Sequence, residues 1–192
     1  MTIRNAVPNR DAAACAAIYR PHVAGSATSF EESAPDVAEM SERIRDISAS
    51  HPWLVAERDG TVRGFAYACP HRSRPAYRWA VDVSAYVDAA HRGQGIGRKL
   101  YEALLEQLRQ QGFYVACAGI TLPNDASVAL HEGLGFVPVG VYERIGWKEG
   151  AWRDVGWWQL QLRRPDGPPT EPMPPPRRGT ARRCTSSAQV SR

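Results

Sequence analysis

Residues Val81 to Leu108 constrain the fold of this chain most. Val81-Asp82-Val83-Ser84-Ala85-Tyr86-Val87 is rich in β-branched and aromatic residues and reads as a strand. From Ile96 onward, Leu100, Leu104 and Leu108 recur every four residues with Leu105 beside them, the spacing of an amphipathic helix. The two are joined by a basic, glycine-rich turn, Arg92-Gly93-Gln94-Gly95-Ile96-Gly97. Glycines let a backbone turn its N–H groups inward and approach a ligand closely. The start of the helix adds unpaired N–H groups and the positive end of its dipole. Strand, turn and helix together make a cradle suited to a diphosphate.

The spacing of that turn excludes two common phosphate loops. No Lys-Ser or Lys-Thr follows the last glycine, so it is not a Walker loop. Gly93, Gly95 and Gly97 lie two apart, so the dinucleotide pattern G-x-G-x-x-G is absent as well. An ordinary strand–helix connection with helpful glycines remains an alternative at this point.

Around this unit, strand and helix patterns alternate. Thr2–Ala6 reads as a short strand, followed by a helix capped by Asn9 or Asp11 and running to Tyr19. Pro21–Glu32 is irregular, and Pro35–Ala49 is helical, with Val37, Met40, Ile44 and Ile47 on one face. Trp53–Arg58 and Thr61–Cys69 form a hairpin across Asp59-Gly60. Pro70–Ala76 is a basic loop. After the long helix, closed by Gly112, come a strand at Val115–Leu122 and a short helix at Asp125–Leu134 stopped by Gly135. Strands at Phe136–Gly146 and Trp152–Leu162 follow. The expectation is one mixed α/β domain of about seven strands and four helices, residues 1–163, with a separate tail at 164–192.

Composition narrows the function classes. Residues 163–192 carry seven arginines and two acids, leaving 17 basic against 18 acidic residues in the first 162. The expected folded part is near neutral, so the overall charge of +4 does not argue for nucleic acid. The tail is rich in Pro and Arg and poor in large apolar residues, which predicts disorder and a dispensable segment. No apolar run approaches the roughly 20 residues of a membrane span, and the first residues do not form an apolar leader. Cys15, Cys69, Cys117 and Cys184 are scattered without a CxxC pair, as expected of reduced thiols in a cytoplasm, with no metal site.

The turn Arg92–Gly97 resembles the pyrophosphate loop of the Gcn5-related N-acetyltransferases. Asn124 followed by a short helix and Gly135-Phe136 resembles a second segment of the same fold. Further pieces are similar to one branch, the phosphinothricin and methionine sulfoximine acetyltransferases. These are Ile18-Tyr19 with Ser29-Phe30-Glu31, Glu39-Met40 with Arg43-Ile44, Leu122-Pro123-Asn124-Asp125, and Gly146-Trp147-Lys148 with the run Trp152 to Gln159. The pieces span residues 2–162 in the family's order. The resemblance implies a mostly antiparallel central sheet flanked by helices, acetyl-CoA as co-substrate, a small acidic amino acid as acceptor, and a homodimer paired through the last strands. It places cofactor contacts at Ala85, Tyr86, Val87, Arg92, Gly93, Gln94, Gly95, Ile96, Gly97 and Asn124.

The chemistry of N-acetylation asks for particular residues. An α-amino group has a pKa of roughly 8 and is mostly an ammonium at neutral pH. It needs a base, directly or through water, and the departing thiolate benefits from an acid. Asp82 lies in an otherwise apolar strand, at the place where the family has its glutamate base. The side chain here is one methylene shorter, which favours a bridging water. Structural pairing with an arginine such as Arg78 is the alternative. His131, in the short helix, matches the branch's histidine and is either catalytic or bonded only within the helix packing. Asn124 can bond amides of the pantetheine arm, cap its helix, or do both. Arg72 and Arg74 suit carboxylate and phosphinate oxygens, and the resemblance adds Phe30 as a pocket wall. A solvated basic loop is the plainer reading of those arginines. Two other functions stay open: acetylation of another amine, such as a different amino acid or a protein N-terminus, and a binding module that holds acyl-CoA without catalysis.

Overall fold

The computed structural model describes residues 1–175. Seven strands form one sheet: β1 (Thr2–Asn5), β2 (Trp53–Arg58), β3 (Thr61–Pro70), β4 (Ala80–Val87), β5 (Val115–Leu122), β6 (Val137–Lys148) and β7 (Ala151–Gln161). Four α-helices accompany them: α1 (Pro8–Val23), α2 (Val37–Ser48), α3 (Ile96–Gln111) and α4 (Asp125–Glu132). The strand order is β1-β2-β3-β4-β5-β7-β6. Every neighbouring pair is antiparallel except β4 and β5, which run parallel.

The sheet is covered on both faces at β2 and β3, which explains the unbroken apolar run Trp53-Leu54-Val55-Ala56. On one face α1 and α2 bury Cys15, Tyr19, Met40 and Ile44 against Trp53, Val55 and Phe65. On the other, α3 lays Leu100, Leu104 and Leu108 on Leu54, Ala66, Val81 and Ala116. Those three leucines are fully buried, so truncating one to alanine costs about 2–5 kcal/mol.

The helix starts have different causes. At α2, Asp36 caps through its carboxylate to the Glu39 N–H while Glu39 bonds back to the Asp36 N–H, a reciprocal capping box. At α1 the expected cap by Asn9 or Asp11 is not what forms. The helix begins earlier, at Pro8. Asp11 is buried, accepts from the Val7 N–H at 2.7 Å, and takes both terminal nitrogens of Arg4 at 2.6 and 2.7 Å. The helix also runs past Tyr19 to Val23, with Pro21 in its last turn.

The expected tail begins with contacts to the domain. Arg78 pairs with Glu171, the Trp79 indole donates to the Thr170 carbonyl, and Gln111 exchanges two hydrogen bonds with the backbone of Met173. The rest of the segment expected to be disordered, from 176 onward, lies outside the described residues, as does Cys184. Among the described residues no helix is long and apolar enough to cross a membrane.

Candidate active site

β4 and β5 share only three rungs, Ala80 with Val115, Val81 with Ala116, and Asp82 with Cys117. Beyond them the strands part. Val83–Val87 stay bonded to β3 on their other side, while β5 pairs with β7 along its whole length. The sheet therefore opens a wedge in its middle, with an unpaired backbone edge on β4. A cavity fills this wedge, lined by Val83–Tyr86 and Ala118–Thr121, with Thr28, Tyr101, Asn124, Ser127 and His131 closing it.

The glycine turn stands at the far end of β4. Gly93 and Gly95 hold left-handed backbone conformations (φ 74° and 75°), and Gly95 is the N-cap of α3. This conformation is costly for a residue with a Cβ. Arg92 points a terminal nitrogen at the His22 ring, 3.3 Å away, and Gln94 accepts from Arg58. The side chain of Ile96 lies in the core, so only its backbone can face a ligand. The Tyr86 ring likewise packs against Tyr19, His22 and Phe65, leaving its backbone to the wedge.

Asn124 caps α4, its side-chain oxygen accepting from the Ser127 N–H. His131 is buried, with Nδ1 donating to the Ser127 carbonyl at 2.7 Å and Nε2 accepting from the Tyr101 hydroxyl at 3.0 Å. Burial holds its pKa below the usual imidazole value. Tyr101, fully buried, has its phenol pushed well above the ordinary range by desolvation, so it stays a neutral donor.

Asp82 stands at the vertex of the wedge. Its partner is not Arg78, which bonds Glu171, but His71, whose Nδ1 lies 2.7 Å from Asp82 Oδ1. Burial raises the Asp82 pKa, and the hydrogen bond from His71 opposes the rise. Cys69 and Cys117 flank this pair on the neighbouring strands, and burial pushes both thiols up to about 11. His71, Asp82 and Cys117 offer a nitrogen, an oxygen and a sulfur within 4.8 Å of one another. The nitrogen–oxygen pair is at hydrogen-bond distance.

Arg72 reaches a second cavity, shared with His71, Cys117, Tyr142 and Trp157. Its guanidinium carbon is 5.8 Å from the Trp157 ring centre. Arg74 is exposed, at the N-cap of a 3₁₀ turn spanning Pro75–Tyr77. Phe30 packs over Gly146 so closely that a Cβ there would overlap its ring. The loop carrying Phe30 is tied down by residues far apart in sequence. The Tyr19 hydroxyl bonds Ser29 and Glu31, Arg43 makes a two-pronged pair with Glu31, and Lys148 Nζ donates to the Glu31 carbonyl.

A family model, the acetyltransferase (GNAT) family, matches residues 21–136. The chain belongs to that family. This GNAT chain is 39% identical over 164 residues, 85% of its length and 90% of the relative's, to a phosphinothricin N-acetyltransferase of Streptomyces viridochromogenes. It is 37% identical over 166 residues, 84% and 95% of the two chains, to an L-methionine sulfoximine/L-methionine sulfone acetyltransferase of Salmonella typhimurium. The solved structure of a GNAT superfamily phosphinothricin acetyltransferase from Sinorhizobium meliloti, in complex with acetyl-CoA, superposes with a TM-score of 0.84. That pair is 36% identical and covers 88% of this chain and 93% of the other. The protein is thus an acetyl-CoA-dependent N-acetyltransferase, and the mixed seven-stranded α/β fold expected of it is the one it has.

Sequence reasoning missed His71, Tyr101, Thr28 and Ser127. Ser127 alone carried a local signal, standing one turn before His131 on α4. His71 reaches the site through strand register, Tyr101 through the packing of α3, and Thr28 from the segment between α1 and α2.

Proposed function

We propose that this GNAT enzyme moves the acetyl group of acetyl-CoA to the amino group of a small acidic amino acid, of the kind exemplified by phosphinothricin and methionine sulfoximine. The observation that carries the reading is the wedge with Asp82 at its vertex and Arg72 on the adjoining cavity wall. A thioester brought into the wedge meets a titratable pair and a guanidinium at one end. The N–H groups from Gly93 to Gly97, with Arg92, hold the diphosphate. The unpaired edge of Val83–Val87 takes the amides of the pantetheine arm as a strand would, and Asn124 adds its side-chain amide. Acetyl-CoA supplies the activated acyl carbon. Asp82, directly or through a neighbour, handles the amine proton. The Tyr101–His131 pair closes the wedge where a leaving thiolate needs a proton.

Arg72 holds the substrate's acidic group, with Arg74 in support and Phe30 as a wall. Two copies pair through the edge strand β6 and its partner, where Val139, Val141, Tyr142, Ile145, Trp147 and Trp152 are exposed. Free thiols at Cys15, Cys69 and Cys117 fit a reducing cytoplasm. No role for nucleic acid, membrane or a metal enters the reading.

Kinetics of the arginine variants test it. A charge-assisted hydrogen bond is worth about 1.5–3 kcal/mol, roughly 10- to 150-fold. Arg72→Ala should raise KM for phosphinothricin by a factor in that range, with KM for acetyl-CoA little changed. Equal turnover of phosphinothricin and of a peptide bearing a free N-terminus, unaffected by Arg72→Ala, would instead favour a broader amine acceptor.

A further inference from the structure

We propose that His71 is the group that takes the proton from the substrate amine, with Asp82 holding and polarising its ring. The inference rests on the acetyl-transfer reading above and deepens it. The antiparallel ladder of β3 and β4 sets Cys69 opposite Asp82 and Pro70 opposite Val81. The chain leaves β3 at His71, whose N–H still bonds the Ala80 carbonyl at 3.3 Å. The ring then turns back over β4, and Nδ1 meets the Asp82 carboxylate at 2.7 Å. Trp157 and Tyr77 stand edge-on to the ring at 5.8 and 6.1 Å, and Arg72 donates to the His71 carbonyl at 2.9 Å. The imidazole is therefore bonded through Nδ1 and flanked edge-on by two aromatic rings.

His71 lines the cavity shared with Arg72 and Cys117. With the Nδ1 proton donated to Asp82, the lone pair sits on Nε2, which has no hydrogen-bond partner among the described residues. Asp82, by contrast, is a poor direct base. Its short side chain keeps the carboxylate at the strand wall, and one oxygen is already engaged. The groups facing the ring are Asp82 from β4, Cys69 from β3, Cys117 from β5, Arg72 from the loop and Tyr77 from the 3₁₀ turn. The two thiols stay neutral, their pKa values pushed up by burial. Among the described residues Asp82 is then the one carboxylate beside the ring, and it stabilises the imidazolium that forms. The arrangement reproduces the carboxylate–imidazole part of a hydrolase triad, without the hydroxyl.

The proton balance is complete. The substrate ammonium gives one proton to His71 Nε2. The freed nitrogen lone pair forms the N–C bond to the thioester carbon. The C–S bond then breaks, and the departing sulfur takes the second amine proton to leave as a thiol. The imidazolium returns its proton to water. Asp82 never leaves the ring and serves as a positioning residue.

Steady-state kinetics over a pH series, with acetyl-CoA and phosphinothricin as probes, separate this route from direct action by Asp82. For His71→Gln, kcat should fall about 10²- to 10⁴-fold with both KM values within about threefold of the original. The acidic limb of the kcat/KM profile should vanish with it. Asp82→Asn should also lower kcat, and the double variant should be no worse than the poorer single, because the two act as a unit. A His71→Gln enzyme with kcat within about threefold of the original, beside an inactive Asp82→Asn, would overturn the proposal. Nitrogen NMR of the resting protein decides the pairing without any substrate. The neutral His71 ring should carry its proton on Nδ1, and should lose that preference in Asp82→Ala. An unchanged tautomer there would contradict the pair. Failure of the unaltered enzyme to acetylate any amine would count against acetyl transfer itself, and the NMR result would still stand or fall separately.

Discussion

Asp82 and Cys117 face each other on the last rung that β4 and β5 share. One residue further the strands separate, so the carboxylate sits where the sheet stops and the cavity starts. The residues beside it line both cavities, Val83 the first and Cys117 the second. The glycine turn lies at the other end of the same strand. In the function proposed above, the length of β4 sets the span between diphosphate and thioester.

Gly95 tests the diphosphate end. Its φ of 75° is the left-handed conformation, and a Cβ there would meet nothing within 4 Å. Gly95→Val therefore adds backbone strain without a clash. Such strain costs on the order of 1–3 kcal/mol, and relieving it moves the N–H groups that begin α3. Calorimetry should show coenzyme A affinity weaker by roughly 5- to 150-fold, that same energy expressed as a ratio. Undiminished affinity would remove the turn from the site.

Gly146 tests the amino-acid end. A side chain there would displace the Phe30 ring, whose loop is fixed by Tyr19, Arg43 and Lys148. Gly146→Ala should raise KM for phosphinothricin several-fold and leave coenzyme A affinity alone. Unchanged kinetics would show that Phe30 does not line the substrate pocket.

Much of this was legible in local patterns. The leucine spacing of α3, the Asp59-Gly60 hairpin and the bounds of Val115–Leu122 all follow from periodicity and turn chemistry. The start of α1 did not, because Asp11 answers to Arg4 and the Val7 N–H rather than acting as a cap. The partner of Asp82 was hidden for the same kind of reason. His71 is eleven residues away, and only the β3–β4 ladder brings it back, while Arg78 is drawn off by Glu171. Residues that meet through sheet register leave no mark on a sequence window.

Glu171 also bears on the segment after the last strand. The two hydrogen bonds between Gln111 and Met173 each contribute about 1 kcal/mol, and Gln111 is buried. A chain ending at residue 164 should melt a few degrees below one ending at 175, since 1 kcal/mol corresponds to roughly 2–4 °C at this size. Identical melting curves would show that the segment from 165 to 175 adds nothing to the fold.

Acid should weaken the fold through its histidines first. Burial, with Arg92 nearby, pushes the His22 pKa from 6.5 down to about 4, and burial lowers those of His51 and His131. The unfolded chain binds these protons more readily, so stability declines as pH falls from about 6.5 toward 4. Asp11 and Glu31, whose pKa values are lowered, add their own loss only below the ordinary carboxylate range. Melting temperature should therefore drop between pH 7 and 5, and His22→Gln should flatten that drop. A flat profile in the original chain would contradict the burial of these rings.

The most direct test is the reaction itself. The full chain is incubated with acetyl-CoA and phosphinothricin, thiol release is followed with a chromogenic disulfide, and the amino acid is weighed by mass spectrometry. The expected result is one thiol released per molecule of amino acid that gains an N-acetyl group, with the reaction slowed at least about 100-fold in Asp82→Asn. No thiol release above the uncatalysed rate with phosphinothricin, methionine sulfoximine or the common amino acids would contradict the assignment.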